Sequence, residues 1–163
     1  MRKILILFLL SILFFIMDNV LMPFFAIKTM YPSLLLVFMI CFSIANGKWE
    51  GLWLGVFCGL LQDIYFTSGF GLNALINMII CIIAGLIGDN IFKEKSLIPV
   101  AACFSLSFLK GTVLLIVLYF LKIDIAFKNI FFIALYNMIV SVIIYKKIYK
   151  LCQKEYMQKR WKF

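Results

Sequence analysis

The sequence contains no histidine and very little charge. Of its 163 residues, 14% are charged and only seven are Asp or Glu. Without histidine, the chain lacks the commonest general base, the commonest metal ligand and any Ser–His nucleophilic pair. It also lacks the glycine-rich patterns that bind phosphates or dinucleotides. We therefore predict a protein that is not an enzyme and that holds neither a cofactor nor a metal.

Cysteine is present in an odd number and in no motif. The five residues are Cys41, Cys58, Cys81, Cys103 and Cys152. With no C-x-x-C pair among them, the spacing favours neither a disulfide framework nor a zinc site. We interpret them as small apolar residues packed between helices.

Apolar residues dominate what remains. The hydrophobic fraction is 66% and the aromatic fraction is 17%, whereas a soluble domain averages about 45–50% apolar and roughly 25% charged residues. A soluble domain this short could not bury so much apolar surface. We therefore predict an all-α integral membrane protein, a six-helix transmembrane bundle in residues 1–145 followed by a basic cytoplasmic tail in 146–163. The apolar runs place the spans at about 4–25, 32–46, 49–66, 71–88, 97–121 and 125–145.

The second run is short enough to be a tilted or re-entrant element, and the distribution of positive charge decides between the alternatives. Six crossings with a cytoplasmic N-terminus put twelve Lys and Arg residues inside and three outside, with Lys110 in the membrane. Without the second crossing the distribution becomes four inside and eleven outside. The positive-inside rule favours six crossings with both termini in the cytoplasm.

Both ends of the chain carry positive charge beside apolar residues. The N-terminal Arg2-Lys3 precedes an apolar run without a cleavage site, which predicts a retained first helix. The tail alternates basic residues with Ile148, Tyr149, Cys152, Tyr156 and Trp161. This spacing fits a helix in the headgroup layer, and a basic stop signal that fixes topology explains it equally well. The net charge of +9 therefore points to anionic lipids and not to nucleic acid.

Three ionisable residues fall within the predicted spans: Asp18, Asp63 and Lys110. Counted from the cytoplasmic ends of their helices, all three lie roughly 18–21 Å deep. Charges in a membrane are costly and mark candidate functional positions. Our hypothesis is that Lys110 pairs with Asp63 or Asp18 inside the bundle. The alternative is that Asp63 reaches the outer interface and Lys110 extends toward water.

Small residues recur at helical spacing in the third and fourth spans. Gly51, Gly55 and Gly59 form a G-x-x-x-G-x-x-x-G run that would let another helix approach closely. Gly85 and Gly88 give the next span a similar face. We favour packing within the bundle over contact with another protein. The amides Asn73, Asn77 and Asn137 are interpreted as polar links between helices.

An ordered set of motifs runs through this region. It comprises Pro32–Leu36, Gly47, Glu50–Gly51, Gly55–Asp63 with the pattern G-x-x-x-G-L-L-x-D, Gly69–Leu75 with G-L-N-A-L, and Ala84–Gly85. The combination resembles the rod shape-determining protein MreD family over a little over a third of the chain. Ser33 departs from the family, which often has an acidic residue after this proline. Gly51, Gly55, Gly59, Asp63, Gly71 and Asn73 are the residues on which we expect the architecture or partner binding to depend.

The resemblance implies a non-enzymatic membrane subunit of the bacterial elongation machinery. Its expected partners are an MreC-like protein and the elongation-specific peptidoglycan polymerase and transpeptidase. The family fold is also similar to the substrate-binding subunits of energy-coupling-factor transporters, so the alternative is a vitamin-binding subunit. That function would need an outward-facing pocket, for which the polar candidates are Asp18, Asn19, Asp63, Thr67, Ser68 and Asn73. The G-L-L-x-D and G-L-N-A-L motifs favour MreD.

Overall fold

A computed structural model describes residues 2–26, 30–65, 71–91, 97–120, 127–154 and 157. These residues form six α-helices: α1 (Arg2–Val20), α2 (Leu34–Asn46), α3 (Lys48–Tyr65), α4 (Leu72–Asp89), α5 (Leu97–Phe120) and α6 (Phe127–Cys152). The all-α prediction is confirmed. Several residues used in the sequence predictions lie outside the described ranges: Lys28, Thr67, Ser68, Lys93, Lys95, Lys122, Tyr156, Lys159, Arg160, Trp161 and Lys162.

Four of the helices, α1, α4, α5 and α6, are long and apolar enough to cross a membrane. The other two differ from them for identifiable reasons. α2 has 13 residues, about 20 Å of helix against a hydrocarbon core of about 30 Å. α3 has 18 residues but includes Lys48, Glu50 and Asp63. The set of apolar helices fits a membrane protein.

The short helix α2 forms the centre of the bundle. Each of its residues from Leu34 to Ile44 is buried, and α2 contacts all five other helices. A helix that is apolar on every side is stable only when protein surrounds it. α2 then turns directly into α3 at Gly47, whose φ of 97° lies in the left-handed region that glycine adopts without strain.

The first predicted span is shorter than expected. The helix predicted over about 4–25 ends at Val20, and a 3-10 helix covers Met22–Phe25. Pro23 accounts for the change because it has no backbone N–H with which to continue the α-helical pattern.

The last helix is longer than expected. α6 continues to Cys152, past the predicted boundary at residue 145. Tyr145, Ile148 and Cys152 share one face and are buried in the core, together with Met157. The start of the tail, as far as Cys152, therefore packs against the bundle, because these apolar residues follow the helical period of the buried face.

Outside the core, large apolar side chains cover the bundle. On α1 they form a continuous stripe of exposed residues: Leu5, Leu9, Leu13, Ile16 and Val20. α6 carries a second stripe, made of Phe132, Leu135, Ile139, Val142 and Ile143. Such surfaces are stable in contact with lipid acyl chains or with apolar partner helices.

Candidate functional site

The glycine run of α3 faces α4 at close range. A Cβ on Gly55 would lie 2.7 Å from the backbone oxygen of Asn77. A Cβ on Gly51 would overlap the Ser43 side chain, and one on Gly59 would overlap the Ala74 backbone. The absence of side chains at these positions thus permits the most extensive helix pair in the described residues, α3 with α4. The structure places the whole run in internal packing.

The glycines of α4 are used in the same way at the other end of the pair. A Cβ on Gly85 would overlap the backbone of Lys48, and one on Gly88 would overlap the backbone of Ile44. The C-terminal half of α4 therefore lies directly against the turn between α2 and α3. Two sets of small residues hold three helices in one compact unit.

Asp63 caps the start of α4. Its Oδ2 accepts hydrogen bonds from the backbone N–H groups of Gly71 and Ala74, each at 3.0 Å. Its Oδ1 accepts from the backbone N–H and the side-chain amide of Asn73, again at 3.0 Å. The first N–H groups of a helix have no partner within the helix. Gly71, at the cap position with φ 97°, has no side chain to satisfy them, so a carboxylate from the preceding helix does.

Asp18 caps the start of α2 by the same principle. It accepts hydrogen bonds from the backbone N–H groups of Leu34 at 2.6 Å and Leu35 at 3.0 Å, and from the Ser33 hydroxyl at 2.9 Å. The Ser33 hydroxyl in turn accepts from Leu36 N–H. Helix α1 thus brings negative charge to the start of α2, where the helix dipole favours it.

Lys110 contacts neither carboxylate, which corrects the hypothesis of a direct ion pair. Its ammonium group donates to Gln62 Oε1 at 2.9 Å, and Lys3–Glu50 is the one ion pair within the described ranges. The carboxylates are unavailable because both are occupied as helix caps. Lys110 is buried within the protein, so it also does not extend toward water as the alternative supposed.

Gln62 joins the buried lysine to α4. Its Oε1 also accepts from Asn77 Nδ2 at 2.9 Å, so one amide oxygen links α3, α4 and α5. The sequence analysis passed over Gln62 because it is the unspecified residue of G-L-L-x-D. The available signal was a polar amide within an apolar run, directly before Asp63.

Asn137 makes an equivalent link on the other side of the core. Its Oδ1 accepts from Ser33 N–H at 2.8 Å, and its Nδ2 donates to Ser107 Oγ at 2.6 Å. The residue is fully buried and connects α6 to α2 and α5. The predicted role of this asparagine as a polar link matches these contacts.

The opposite end of the bundle contains a buried ion pair that sequence reasoning missed. Lys3 Nζ lies 2.6 Å from Glu50 Oε1, and the two side chains are 9% and 13% exposed. Asn46 Nδ2 donates to the second Glu50 oxygen at 2.9 Å. This pair fixes the start of α1 to the start of α3. Lys3 was interpreted only as a topology signal, and a separation of 47 residues gives no local pattern to reveal the contact.

Beside this ion pair lies a cavity of about 950 Å³ between α1 and the α2–α3 turn. Its lining is mainly apolar and aromatic, with charged groups at one end; it includes Leu7, Phe8, Leu54, Phe57, Trp49, Trp53, Lys48 and Asp89. Among the described residues no group of three or more Cys, Asp or Glu side chains could hold a metal ion. The polar groups in the bundle interior serve helix starts and helix contacts.

The motif residues thus lie together along α3 and the start of α4, and a comparison with protein families finds the same region within a longer match. A family model described as rod shape-determining protein MreD matches residues 1–155. The chain belongs to the MreD family. MreD is a shape-determining structural family and is not known as an enzyme. Comparisons with curated proteins and with solved structures each gave no match.

Membership gives this MreD protein a role in rod shape determination. It also makes the protein part of the shape-determining complex. The resemblance on motifs in residues 31–89 is confirmed and extends over nearly the whole chain. Within this MreD chain, Gly51, Gly55, Gly59, Asp63, Gly71 and Asn73 all contribute to the contact of α3 with α4 or to its capped start.

Proposed function

We propose that this protein is a non-enzymatic membrane subunit of the cell-elongation complex. In this role it binds an MreC-like protein together with the elongation-specific peptidoglycan polymerase and transpeptidase, and so supports lateral wall synthesis. The observation that carries the proposal is the family match over residues 1–155. Shape determination requires that the protein act on wall synthesis, and a chain without its own catalytic groups can do so through bound partners.

The hydrogen bonding of the two helix-capping carboxylates supports a non-catalytic role. Asp63 accepts four hydrogen bonds and is 2% exposed. Asp18 accepts three. A general acid or base must come within hydrogen-bond reach of its substrate, whereas both carboxylates are directed at backbone N–H groups. Their positions are explained by the fold alone.

The arrangement of helix ends supports a topology with both termini in the cytoplasm. The Lys3–Glu50 pair brings together the N-terminal ends of α1 and α3. Asp18 and Asp63 join the C-terminal ends of those helices to the N-terminal ends of α2 and α4. Helices α1 to α4 therefore alternate in direction, as six successive crossings require. The exposed residues Lys146, Lys147 and Lys150 follow the last crossing, where they would meet anionic lipid headgroups of the cytoplasmic leaflet.

Partner binding in this proposal uses the lipid-facing side of the bundle. The single transmembrane helix of an MreC-like protein can pack against an apolar stripe such as that of α1 or of α6. A photo-crosslinking residue at Leu9 samples the first stripe and one at Ile139 samples the second; these side chains are 57% and 52% exposed. A partner adduct at one position and not at the other would identify the face that is used.

The decisive experiment is purification of the tagged chain from its own membranes in a mild detergent, followed by mass spectrometry. We expect an MreC-like protein and wall-synthesis enzymes, enriched over a preparation from an equally tagged, unrelated multi-pass protein. Depletion of the chain should round the cells. Recovery of paired ATPases with a coupling membrane subunit would overturn the proposal in favour of a vitamin-binding subunit.

No specific observation favours that second function. A vitamin-binding subunit needs an outward-facing pocket, whereas the cavity found between described residues lies at the Lys3–Glu50 end, which the proposed topology places at the cytoplasm. At the other end, Asp18, Asp63 and Asn73 are engaged with helix starts.

A further inference from the structure

The cavity at the Lys3–Glu50 end is bordered by two charged groups that the fold itself does not use. Lys3 and Glu50 neutralise each other, and Asn46 occupies the second Glu50 oxygen. Lys48 and Asp89 also line the cavity and are exposed. Neither forms a hydrogen bond or an ion pair with another residue of the described ranges. Within the described residues, the cavity therefore presents one ammonium group and one carboxylate that have no partner there.

The rest of the cavity suits acyl chains. Leu7 and Phe8 of α1 and Leu54 and Phe57 of α3 are among its lining residues. Phe8 and Phe57 have their ring centroids 5.2 Å apart, so the apolar wall continues from one helix to the other. The volume of about 950 Å³ falls within the range of roughly 300–1,000 Å³ that is common for ligand sites. A ligand here needs a charged head and an apolar body.

Two tryptophans indicate the depth in the membrane at which the charged head of such a ligand would lie. Trp49 and Trp53 are one helical turn apart on α3 and are 70% and 62% exposed. Tryptophan is enriched where the hydrocarbon core meets the headgroup layer. Lys48 and Asp89 lie at the same end of the bundle, so their charges are at headgroup level while Phe8 and Phe57 extend toward the hydrocarbon.

We propose that this cavity binds one zwitterionic phospholipid with a primary ammonium headgroup, a phosphatidylethanolamine, in the leaflet at the Lys3–Glu50 end. The lipid phosphate pairs with Lys48 and the lipid ammonium donates to the Asp89 carboxylate. An anionic lipid such as phosphatidylglycerol satisfies Lys48 but leaves Asp89 unpaired beside a negative headgroup. Phosphatidylcholine has no N–H with which to reach Asp89.

The test is native mass spectrometry of the full-length protein with an equimolar mixture of POPE, POPG and POPC, which share the same acyl chains. We expect a single retained POPE, favoured about twofold to fivefold over each competitor, the range given by one exposed charge pair. The Asp89→Asn variant should lose the preference for POPE, whereas Lys48→Gln should weaken retention of all three lipids. Lys150→Gln, an exposed lysine on α6 away from the cavity, is the matched control and should change nothing.

Equal retention of POPE and POPC, or a preference for POPE that survives in Asp89→Asn, would overturn the proposal. A second measurement addresses a protein occupant. A photo-crosslinking residue in place of Trp53, activated in native membranes, should give a lipid adduct. A protein adduct at that position would mean that a partner helix occupies the cavity and would equally refute lipid binding. Thermal unfolding of each variant verifies the fold, and both charged side chains are exposed, so we expect unchanged midpoints.

Discussion

The capping of α4 by Asp63 allows a quantitative prediction for the Asp63→Asn variant. Each oxygen of the Asp63 carboxylate accepts two hydrogen bonds. In the variant, two of these four bonds are lost and the other two are weakened, because their acceptor is no longer charged. An asparagine oxygen can replace one carboxylate oxygen. Its NH2 group must then face two donors, which are the N–H groups of Gly71 and Ala74 in one orientation and both donors of Asn73 in the other. The substitution that is usually conservative is therefore disruptive here.

The magnitude follows from the number of donors left without an acceptor. A hydrogen bond to a charged group contributes about 1.5–3 kcal/mol, so two such losses amount to about 3–6 kcal/mol of unfolding free energy. For a chain of this size that corresponds to a midpoint lower by about 10 °C. Asp63→Ala, which removes all four acceptors, should fall further.

The assay is thermal unfolding in detergent, followed as the loss of the monodisperse peak in size-exclusion chromatography. Ile64→Ala is the matched control because Ile64 follows Asp63 directly but is 70% exposed; we expect a change of less than about 0.5 kcal/mol there. If Asp63→Asn unfolds within about 2 °C of the parent, the cap does not stabilise the bundle. The reasoning on Asp63 would then be refuted.

Three further predictions use the same assay. Gly59→Ala should cost about 2–3 kcal/mol, since the added Cβ would overlap the Ala74 backbone. Lys3→Met and Glu50→Gln should each cost about 2–4 kcal/mol, and a variant that replaces both with apolar residues should cost less than their sum, because a single change leaves a buried charge unpaired. Gln62→Leu should destabilise the protein more than Gln62→Leu combined with Lys110→Met, because it removes the hydrogen-bond partner of a buried ammonium.

Each of these predictions has an outcome that contradicts it. Leu60→Ala is the control for Gly59 because Leu60 is its exposed neighbour, and equal losses for the two would argue against a close helix contact. Strict additivity at Lys3 and Glu50 would show that the two charges do not interact. If removing Lys110 in the Gln62→Leu background lowers the midpoint further, the ammonium has a stabilising partner other than Gln62.

The sequence was sufficient to predict the elements that depend on local composition. Apolar runs of helical length placed all six helices, and glycine at every fourth residue of α3 indicated the close approach of another helix. Ends of helices were less predictable. Pro23 ends α1 early, whereas α6 continues past Tyr145 because Ile148 and Cys152 extend its buried face. The end of an apolar run marks the edge of the hydrocarbon region, which need not coincide with the end of a helix.

Sequence patterns did not predict the contacts between residues that are far apart in the chain. The similar depth of Asp18, Asp63 and Lys110 suggested that they pair with one another. Depth alone, however, does not show whether a carboxylate binds a lysine or the free N–H groups at the start of a helix. At Asp63 the backbone offers three donors in fixed positions, and the chain between α3 and α4 is short. Lys110 on α5 could also offer Asp63 several N–H donors, but its ammonium group would add a second buried charge to the site.

The positions of the family motif within the fold indicate where function should be sought. Gly55 and Gly59 allow α4 to approach α3, and Asp63 then satisfies the start of α4 from Gly71 onward. G-x-x-x-G-L-L-x-D and G-L-N-A-L therefore specify one helical hairpin and form no open site. Substitutions in this hairpin should impair cell shape by lowering the amount of folded protein. Variants that impair shape at normal protein levels should instead lie on lipid-facing stripes such as that of α1, because partners can reach those surfaces and the fold does not require them.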